Sequence, residues 1–305
     1  GGGGSGGDGG TSGSGNNNTA GTNNSTAGTN NGTAGTNNGT AGTNSTAGTT
    51  GTAGSGSGGA GACNPMPGSK KGDGTNTTID ELDDTNIMFA PAGTGMGAWD
   101  FGKDNGATAM GTITPTGTMT LMPAAGGHMG SGLHVTGTGL TGWGASLAAF
   151  LNGASGSFDA SMYDGVAFWI KGTTTVQEGM NKLMIQARMP DVLPGAGSCC
   201  MDPPAGGMPT GIECDSGHRT VIDVPAEWTE VKIPWTAFAG PAWGLGSTLA
   251  FNANRVRDIN FSFNHDTAMP MAPASFDVWV DGLRFMTKGE MGTVGGGSGG
   301  SGGGS

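Results

Sequence analysis

Charged and aromatic residues are scarce in this chain of 305 residues. Only 11% of the residues are charged and a single Tyr is present, whereas Gly occurs 66 times. No apolar run approaches the roughly 18–20 residues that a membrane-spanning helix needs, which excludes an integral helical span. The Gly residues follow no three-residue period, which excludes collagen.

Basic residues are also few. The chain has 12 Lys and Arg against 23 Asp and Glu, a net charge of −11 and an isoelectric point near 4.5. Without a basic surface to neutralise phosphates, nucleic acid is not expected as a partner. The acidic balance favours neutral ligands or cations instead.

The two ends of the chain lack core-forming residues. Residues 1–62 contain no large apolar or aromatic side chain, and a Thr-Ala-Gly-Thr-Asn-Asn-Ser/Gly repeat starts at Thr19, Thr26 and Thr33. Because nothing there offsets the entropy of ordering the backbone, we predict a disordered low-complexity arm, with a Thr-ladder solenoid as the alternative. Residues 63–78 are predicted to be a linker and residues 287–305 a Gly/Ser-rich tail.

Residues 79–286 differ in composition from both ends. Short runs rich in β-branched and aromatic residues alternate with Gly, Pro, Asn and Asp, and no stretch keeps a helical period. The pattern predicts one all-β domain, a two-sheet antiparallel sandwich. The predicted strands are 133–135, 165–171, 182–189, 220–224, 230–233, 258–264 and 276–285.

Alternation inside these strands separates an inward face from an outward one. In the strand 165–171, Val166, Phe168 and Ile170 point inward while Trp169 points outward. We expect one outer sheet face to carry Trp169, Gln186, Arg188, Asn260 and Asn264. An aromatic ring beside amides and a guanidinium suits a sugar, whose C–H groups stack while its hydroxyls form hydrogen bonds. A solvated sheet face with one half-buried Trp is the alternative interpretation.

The chain contains four cysteines, an even number. In a chain of this composition they favour disulfides and an exported protein. Cys199 and Cys200 are adjacent and poorly placed to bond each other, so we expect one of them to pair with Cys214 and the other with Cys63. A zinc site that adds His218 to Cys199, Cys200 and Cys214 is the alternative.

Several strings of the sequence, in order, resemble galactose-binding-like jelly-roll domains akin to carbohydrate-binding modules of families 4, 11 and 22. These strings are IDELDD at 79–84, GAWDF at 97–101, TGLTGWGA at 138–145, YDGVAFWIKG at 163–172 and FDVWVDGLRF at 276–285. The resemblance covers the core and neither end. It implies a two-sheet jelly roll with a structural Ca²⁺ where the first and last strands meet, and often a glycan groove on the concave sheet.

The resemblance also suggests specific residues. Asp83 occupies the acidic position of the opening strand and Asp281 that of the closing strand, and two carboxylates with backbone carbonyls suit Ca²⁺. The alternative is that Asp83 merely caps a turn. Trp143 and Trp243, each flanked by Gly in predicted loops, are candidate stacking platforms. The full predicted ligand-binding set is Trp143, Trp169, Gln186, Arg188, Trp243 and Asn264.

We therefore expect a non-catalytic carbohydrate-binding module of a secreted or cell-surface protein, with a polysaccharide or cell-surface glycan as partner. An enzyme is not expected, because Asp191, Asp202, Glu213 and Asp215 lie in one loop rather than on facing strands. No phosphate-cradling loop or metalloprotease motif is present. The alternative is a structural surface protein that self-assembles through the Thr/Asn-rich arm.

Overall fold

The described residues all lie within one of the two units of the chain, Gly58–Ser305. The computed structural model describes residues 70–106, 109–153, 156–177, 180–194, 199–201, 211–264 and 273–294. The predicted arm, 1–62, and most of the predicted tail fall outside these residues. Disorder of the arm, its repeat and its role in self-assembly therefore stay predictions.

The described part of the chain contains fifteen β-strands. In chain order they are β1 (Lys70–Lys71), β2 (Thr78–Asp80), β3 (Met88–Phe89), β4 (Gly97–Lys103), β5 (Thr112–Thr114), β6 (Ala124–Ala125), β7 (Ser131–Leu140), β8 (Ala145–Phe150), β9 (Phe158–Asp159), β10 (Gly165–Thr174), β11 (Lys182–Arg188), β12 (His218–Asp223), β13 (Thr229–Pro234), β14 (Asp258–Phe263) and β15 (Ala274–Met286).

The helical elements are single 3₁₀ turns of three residues. They are Pro91–Gly93, Thr118–Thr120, Pro190–Val192, Trp235–Ala237, Leu245–Ser247 and Ala253–Arg255. Within the described ranges, no helix has the length and apolar character needed to cross a membrane.

Two antiparallel sheets form a jelly-roll sandwich, which confirms the predicted fold class. One sheet has seven strands in the order β13-β10-β15-β7-β5, with β2 added to β15 and β6 to β7. The other has six strands in the order β12-β11-β14-β8-β4-β3. A separate short pair, β1 and β9, is parallel.

The core lies between the two sheets and follows the predicted alternation. Val166, Phe168 and Ile170 on β10 are fully buried. Phe168 meets Phe261 of β14, in the opposite sheet, with ring centroids 4.8 Å apart. Contacts of this kind close the sandwich by burying the inner faces of both sheets together.

All seven predicted strands are present, with ends that differ by a few residues. The structure adds strands that the pattern did not predict, above all β4 and β8. These two are rich in Gly and Ala, which are poor strand formers in isolation. They become strands because β8 pairs with β14 on one side and with β4 on the other.

Ordered structure extends into the predicted linker and tail. Strand β1 lies before residue 79, and the segment after β15 returns along β13, where the Thr293 N–H donates to the Lys232 carbonyl oxygen at 2.9 Å. Arg284 Nη2 joins this segment to the sheet through Glu290 Oε1 at 2.7 Å and Glu230 Oε1 at 2.6 Å. These contacts hold the segment that follows β15 against β13.

Candidate functional site

A groove of about 830 Å³ lies on the outer face of the six-stranded sheet. Side chains of β11 that face the groove, such as Gln186, alternate with Ile185 and Ala187, which are buried in the core. Five of the six predicted ligand-binding residues line it: Trp143, Gln186, Arg188, Trp243 and Asn264.

The floor of the groove is a chain of hydrogen bonds across three neighbouring strands. Ser146 Oγ on β8 donates to Asn260 Oδ1 on β14 at 2.7 Å, and Asn260 Nδ2 donates to Gln186 Oε1 on β11 at 3.2 Å. Gln186 and Asn260 are buried, so their amides are held in fixed orientations by these partners. The floor is therefore polar and preorganised.

Arg188 brings positive charge to the groove. Its Nε lies 2.6 Å from Oδ1 of Asp258, a fully buried carboxylate on the neighbouring strand. The register of β11 and β14 places these two residues directly opposite each other. The ion pair engages Nε and fixes the plane of the guanidinium, whose five donors match planar acceptors.

Trp143 forms one wall of the groove and is 44% exposed. In the amide orientation that satisfies both of its polar atoms, Asn264 donates to the carbonyl oxygens of Trp143 at 3.1 Å and Ala145 at 2.8 Å, and accepts from Ser262 Oγ at 3.1 Å. Asn264 therefore supports the turn that carries Trp143. The indole itself is free to meet a ligand.

Trp243 forms another wall and is 45% exposed. It precedes Gly244, whose φ of +64° favours glycine and where a Cβ would come within 2.7 Å of Ser216. Ser216 Oγ accepts the Gly246 N–H at 2.9 Å, and the Glu213 carbonyl oxygen accepts the Leu245 N–H at 3.1 Å. The segment around Ser216 is thus the support of this wall.

The same segment is anchored by a disulfide between Cys200 and Cys214. This bond confirms that one of the two adjacent cysteines pairs with Cys214. Cys199 is also disulfide-bonded, and its predicted partner Cys63 lies outside the described residues.

The zinc alternative is wrong, because Cys200 and Cys214 are oxidised and supply no thiolate. His218 is buried, and its Nε2 lies 2.8 Å from the Leu249 carbonyl oxygen. Burial lowers the pKa of His218. His218 Nε2 is thus occupied by a backbone carbonyl.

Trp169 does not share the groove, so its predicted place on the same sheet face is wrong. It lies on β10, in the seven-stranded sheet, where it stacks on His128 with ring centroids 3.5 Å apart. Trp228 and Trp279 stand on the same sheet face, each within 6 Å of the Lys171 ammonium. These rings contact one another and form a separate aromatic cluster.

The predicted calcium ligands meet at the turn that leads into β7. Asp281 Oδ2 accepts the N–H groups of His128 at 2.6 Å and Met129 at 3.3 Å, and Asp83 Oδ1 accepts the Ser131 N–H at 3.3 Å. Burial, together with the nearby Asp83, raises the pKa of Asp281.

The type of ligand atom at this turn suits Ca²⁺, but the two carboxylates do not form a complete cage. In the described part of the chain, no group of three or more His, Cys, Asp or Glu side chains comes together. Ca²⁺ takes 6–8 oxygens, so backbone carbonyls and water would have to complete the shell.

Sequence reasoning missed several residues of the groove. Asp100 and Lys103 line it from β4, and Ser146 from β8, two strands that the pattern did not predict. In the sequence, Ser146 lies between Ala145 and Leu147, which are both buried in the core. This alternation indicates that the Ser146 hydroxyl faces outward. The role of Ser216 had no local signal, since it depends on contacts between two loops.

No family model matches the chain, and a search of curated protein sequences finds no match. Among solved structures, the chain is similar to a family 11 carbohydrate-binding module from Clostridium thermocellum in complex with a beta-1,3-1,4-mixed-linked tetrasaccharide. The identity is 15%, the match covers 69% of this chain and 94% of that one, and the TM-score is 0.38.

Two further solved structures are similar. The family 11 module of the cellulosomal cellulase Lic26A-Cel5E of Clostridium thermocellum is 17% identical over 62% of this chain and 88% of that one, with a TM-score of 0.35. The solution structure of CtCBM11 is 15% identical over 70% and 95%, with a TM-score of 0.36. Family 11 modules, which the sequence strings resemble, are thus also among the solved structures to which the chain is similar.

Proposed function

We propose that this domain is a non-catalytic carbohydrate-binding module that holds a polysaccharide in the groove of the six-stranded sheet. The observation that carries the proposal is the pair of exposed indoles, Trp143 and Trp243, above a floor of oriented amides. Indole rings stack on the C–H faces of sugars, while amides and a guanidinium bind hydroxyls. The predicted calcium and the predicted export are part of the proposal.

The layout of the walls favours an extended ligand over a single sugar. Strand β14 runs from Asp258, which pairs with Arg188, to its far end beside Asn264 and Trp143. That length of strand is roughly 20 Å. The Gly217 backbone packs on the Arg188 side chain, at the Asp258 end of this strand. Gly217 directly follows Ser216, the residue that supports Trp243. Stacking at two separated places suits a polysaccharide chain.

The carboxylates of the groove argue against glycoside hydrolysis. Asp100 on β4 and Asp215, just before β12, both line the groove. These strands stand at opposite flanks, four strand spacings apart, which is roughly 19 Å. A hydrolytic acid–base pair works at about 5–10 Å, which is well short of the separation of these two strands.

We also propose that Asp83 and Asp281 hold one structural Ca²⁺ at the turn before β7. The support is that the Asp83 and Asp281 carboxylates approach one backbone turn from two separate segments of the chain, and that burial and the nearby Asp83 charge raise the pKa of Asp281. The test compares melting temperatures in Ca²⁺ and in EDTA. We expect Ca²⁺ to raise the melting temperature of the parent but not of Asp281→Asn, which keeps an acceptor oxygen. An equal response in both proteins would contradict this site.

Export is proposed from the chemistry of the cysteines. Cys200 and Cys214 form a disulfide, and disulfides persist in oxidising compartments outside the cytosol. A surface or secreted location also gives a polysaccharide ligand access to the groove. Cell fractionation of the producing organism tests this point, with recovery in the cytosol as the contradicting result.

Binding is tested with a glycan array and pull-down on insoluble polysaccharides. We expect the parent to bind, and Trp143→Ala and Trp243→Ala each to lose about 0.5–1.5 kcal/mol, a roughly 2- to 12-fold weaker affinity. Trp169→Ala is the matched control, because its indole lies in the other sheet. Absence of binding by the parent across all glycans, or equal losses in the three variants, would contradict the proposal.

A further inference from the structure

Methionine accounts for ten of the thirteen exposed large apolar side chains in the described part of the chain. Ten methionines are exposed, from 39% for Met162 to 97% for Met119. The other large apolar side chains in this exposed set are Val221 and the two groove indoles. In the described ranges, no Leu, Ile or Phe belongs to it.

The remaining described methionines are of a different kind. Met184, Met189 and Met286 are at most 2% exposed. The sulfur of Met184 lies 3.3 Å from Gln186 Nε2, and that of Met189 lies 3.3 Å from the Asn252 backbone nitrogen. Methionine therefore forms two populations, one packed inside and one facing solvent.

Hydrophobicity does not explain this division. Leu and Met have similar volumes and apolar character, so burial alone places both inside. The property that separates exposed Met from Leu is its thioether sulfur, which accepts an oxygen atom from a two-electron oxidant. An exposed thioether can be oxidised without opening the core, because its side chain packs little.

We propose that the ten exposed methionines form an oxidant-consuming surface that reacts with peroxides while the fold stays intact. In each reaction a sulfur lone pair attacks one peroxide oxygen, the O–O bond breaks and an S–O bond forms. The sulfide is oxidised to a sulfoxide and hydrogen peroxide is reduced to water. The ten methionines are Met88, Met96, Met110, Met119, Met122, Met129, Met162, Met180, Met201 and Met291.

This inference does not depend on the proposed function. It rests on the exposure of the thioethers, whereas glycan binding rests on the groove. Sulfoxide formation is reversible by reductases that act on each sulfoxide epimer, so the surface can be regenerated. The packed methionines beside the groove and in the core are shielded from the oxidant.

The test treats the full chain with hydrogen peroxide and follows each methionine by peptide mass spectrometry. We expect the ten exposed methionines to gain one oxygen each while Met184, Met189 and Met286 stay unmodified. We expect the melting temperature to stay within about 2 °C of the untreated protein, as for surface changes generally. Equal oxidation of the three buried residues, or a collapse of the melting transition, would overturn the proposal.

A variant with Leu at the ten exposed positions is the matched control. Leu keeps the size and apolar character but lacks sulfur, so peroxide consumption should fall by ten equivalents per chain. An unchanged consumption would show that other groups take up the oxidant and would overturn the proposal. Should the variant fail to fold, the site-by-site oxidation pattern of the parent still decides the question.

Discussion

Asp104 and Trp143 are joined by a hydrogen bond in which the Asp104 Oδ2 atom accepts the Trp143 backbone N–H at 3.0 Å. Gly142, just before the Trp, has a φ of +71°, and a Cβ there would clash with the same carboxylate oxygen. Asp104 Oδ1 is held by the Gly106 N–H at 2.8 Å. The turn that presents the Trp143 indole is thus fixed from its backbone.

Replacement of Gly142 by Ala should weaken both the fold and the binding of glycan. The positive φ costs about 1–2 kcal/mol for a residue with a Cβ, and the clash with Asp104 shifts the turn. Gly153→Ala is the matched control, because Gly153 has a φ of +69° and no atom within 4 Å of the added Cβ. Urea unfolding and affinity are measured together, and equal affinities in the two variants would be evidence against this support of Trp143.

Loss of the Ser216 hydroxyl should act on binding through Trp243. Ser216→Ala leaves the Gly246 N–H without its acceptor, which costs about 1–3 kcal/mol for a buried group. A double-mutant cycle isolates the effect on the wall. We expect Ser216→Ala to weaken affinity in the parent and to add nothing in Trp243→Ala, whereas additive losses would mean that Ser216 acts elsewhere.

Stability should depend on pH through Asp80. This carboxyl is 7% exposed, and its Oδ2 accepts the Trp99 indole N–H at 2.7 Å. Burial raises its pKa to about 6 from an ordinary value of 3.8. The folded state therefore binds more protons than the unfolded chain between these values, so this contribution to stability is lost as pH rises from about 4 to about 6.

Asp80→Asn removes this titration and supplies the comparison. The free energy of unfolding of the parent, measured relative to the variant, should fall by at most about 3 kcal/mol between pH 4 and pH 6 and stay level above pH 7. Urea unfolding at several pH values measures it. A difference between the two proteins that is constant across this range would contradict the raised pKa.

Much of the fold was predictable because strands such as β10 alternate large buried residues with small or half-buried ones. The strands β4 and β8 were not predictable, because their Gly and Ala carry little intrinsic preference and take their state from paired neighbours. In β8, the small Ala149 lies opposite the bulky Trp99 of β4. Pairing of small and large side chains across strands is a tertiary property.

The candidate site was predictable in part for the same reason. Alternation placed Gln186 and Arg188 on an outward face, and both line the groove. The same alternation misplaced Trp169, because it assigns a face of a strand but not the sheet to which that strand belongs. The supports of the walls, Asp104 and Ser216, come from loops whose approach to each other has no local pattern in the sequence.

The most direct test of the groove follows the indole N–H resonances by two-dimensional ¹H–¹⁵N NMR during titration with an oligosaccharide that the array selects. The account predicts that the resonances of Trp143 and Trp243 shift together in proportion to ligand bound, while those of Trp169, Trp228 and Trp279 on the other sheet stay in place. Shifts confined to the three indoles of the other sheet would contradict it.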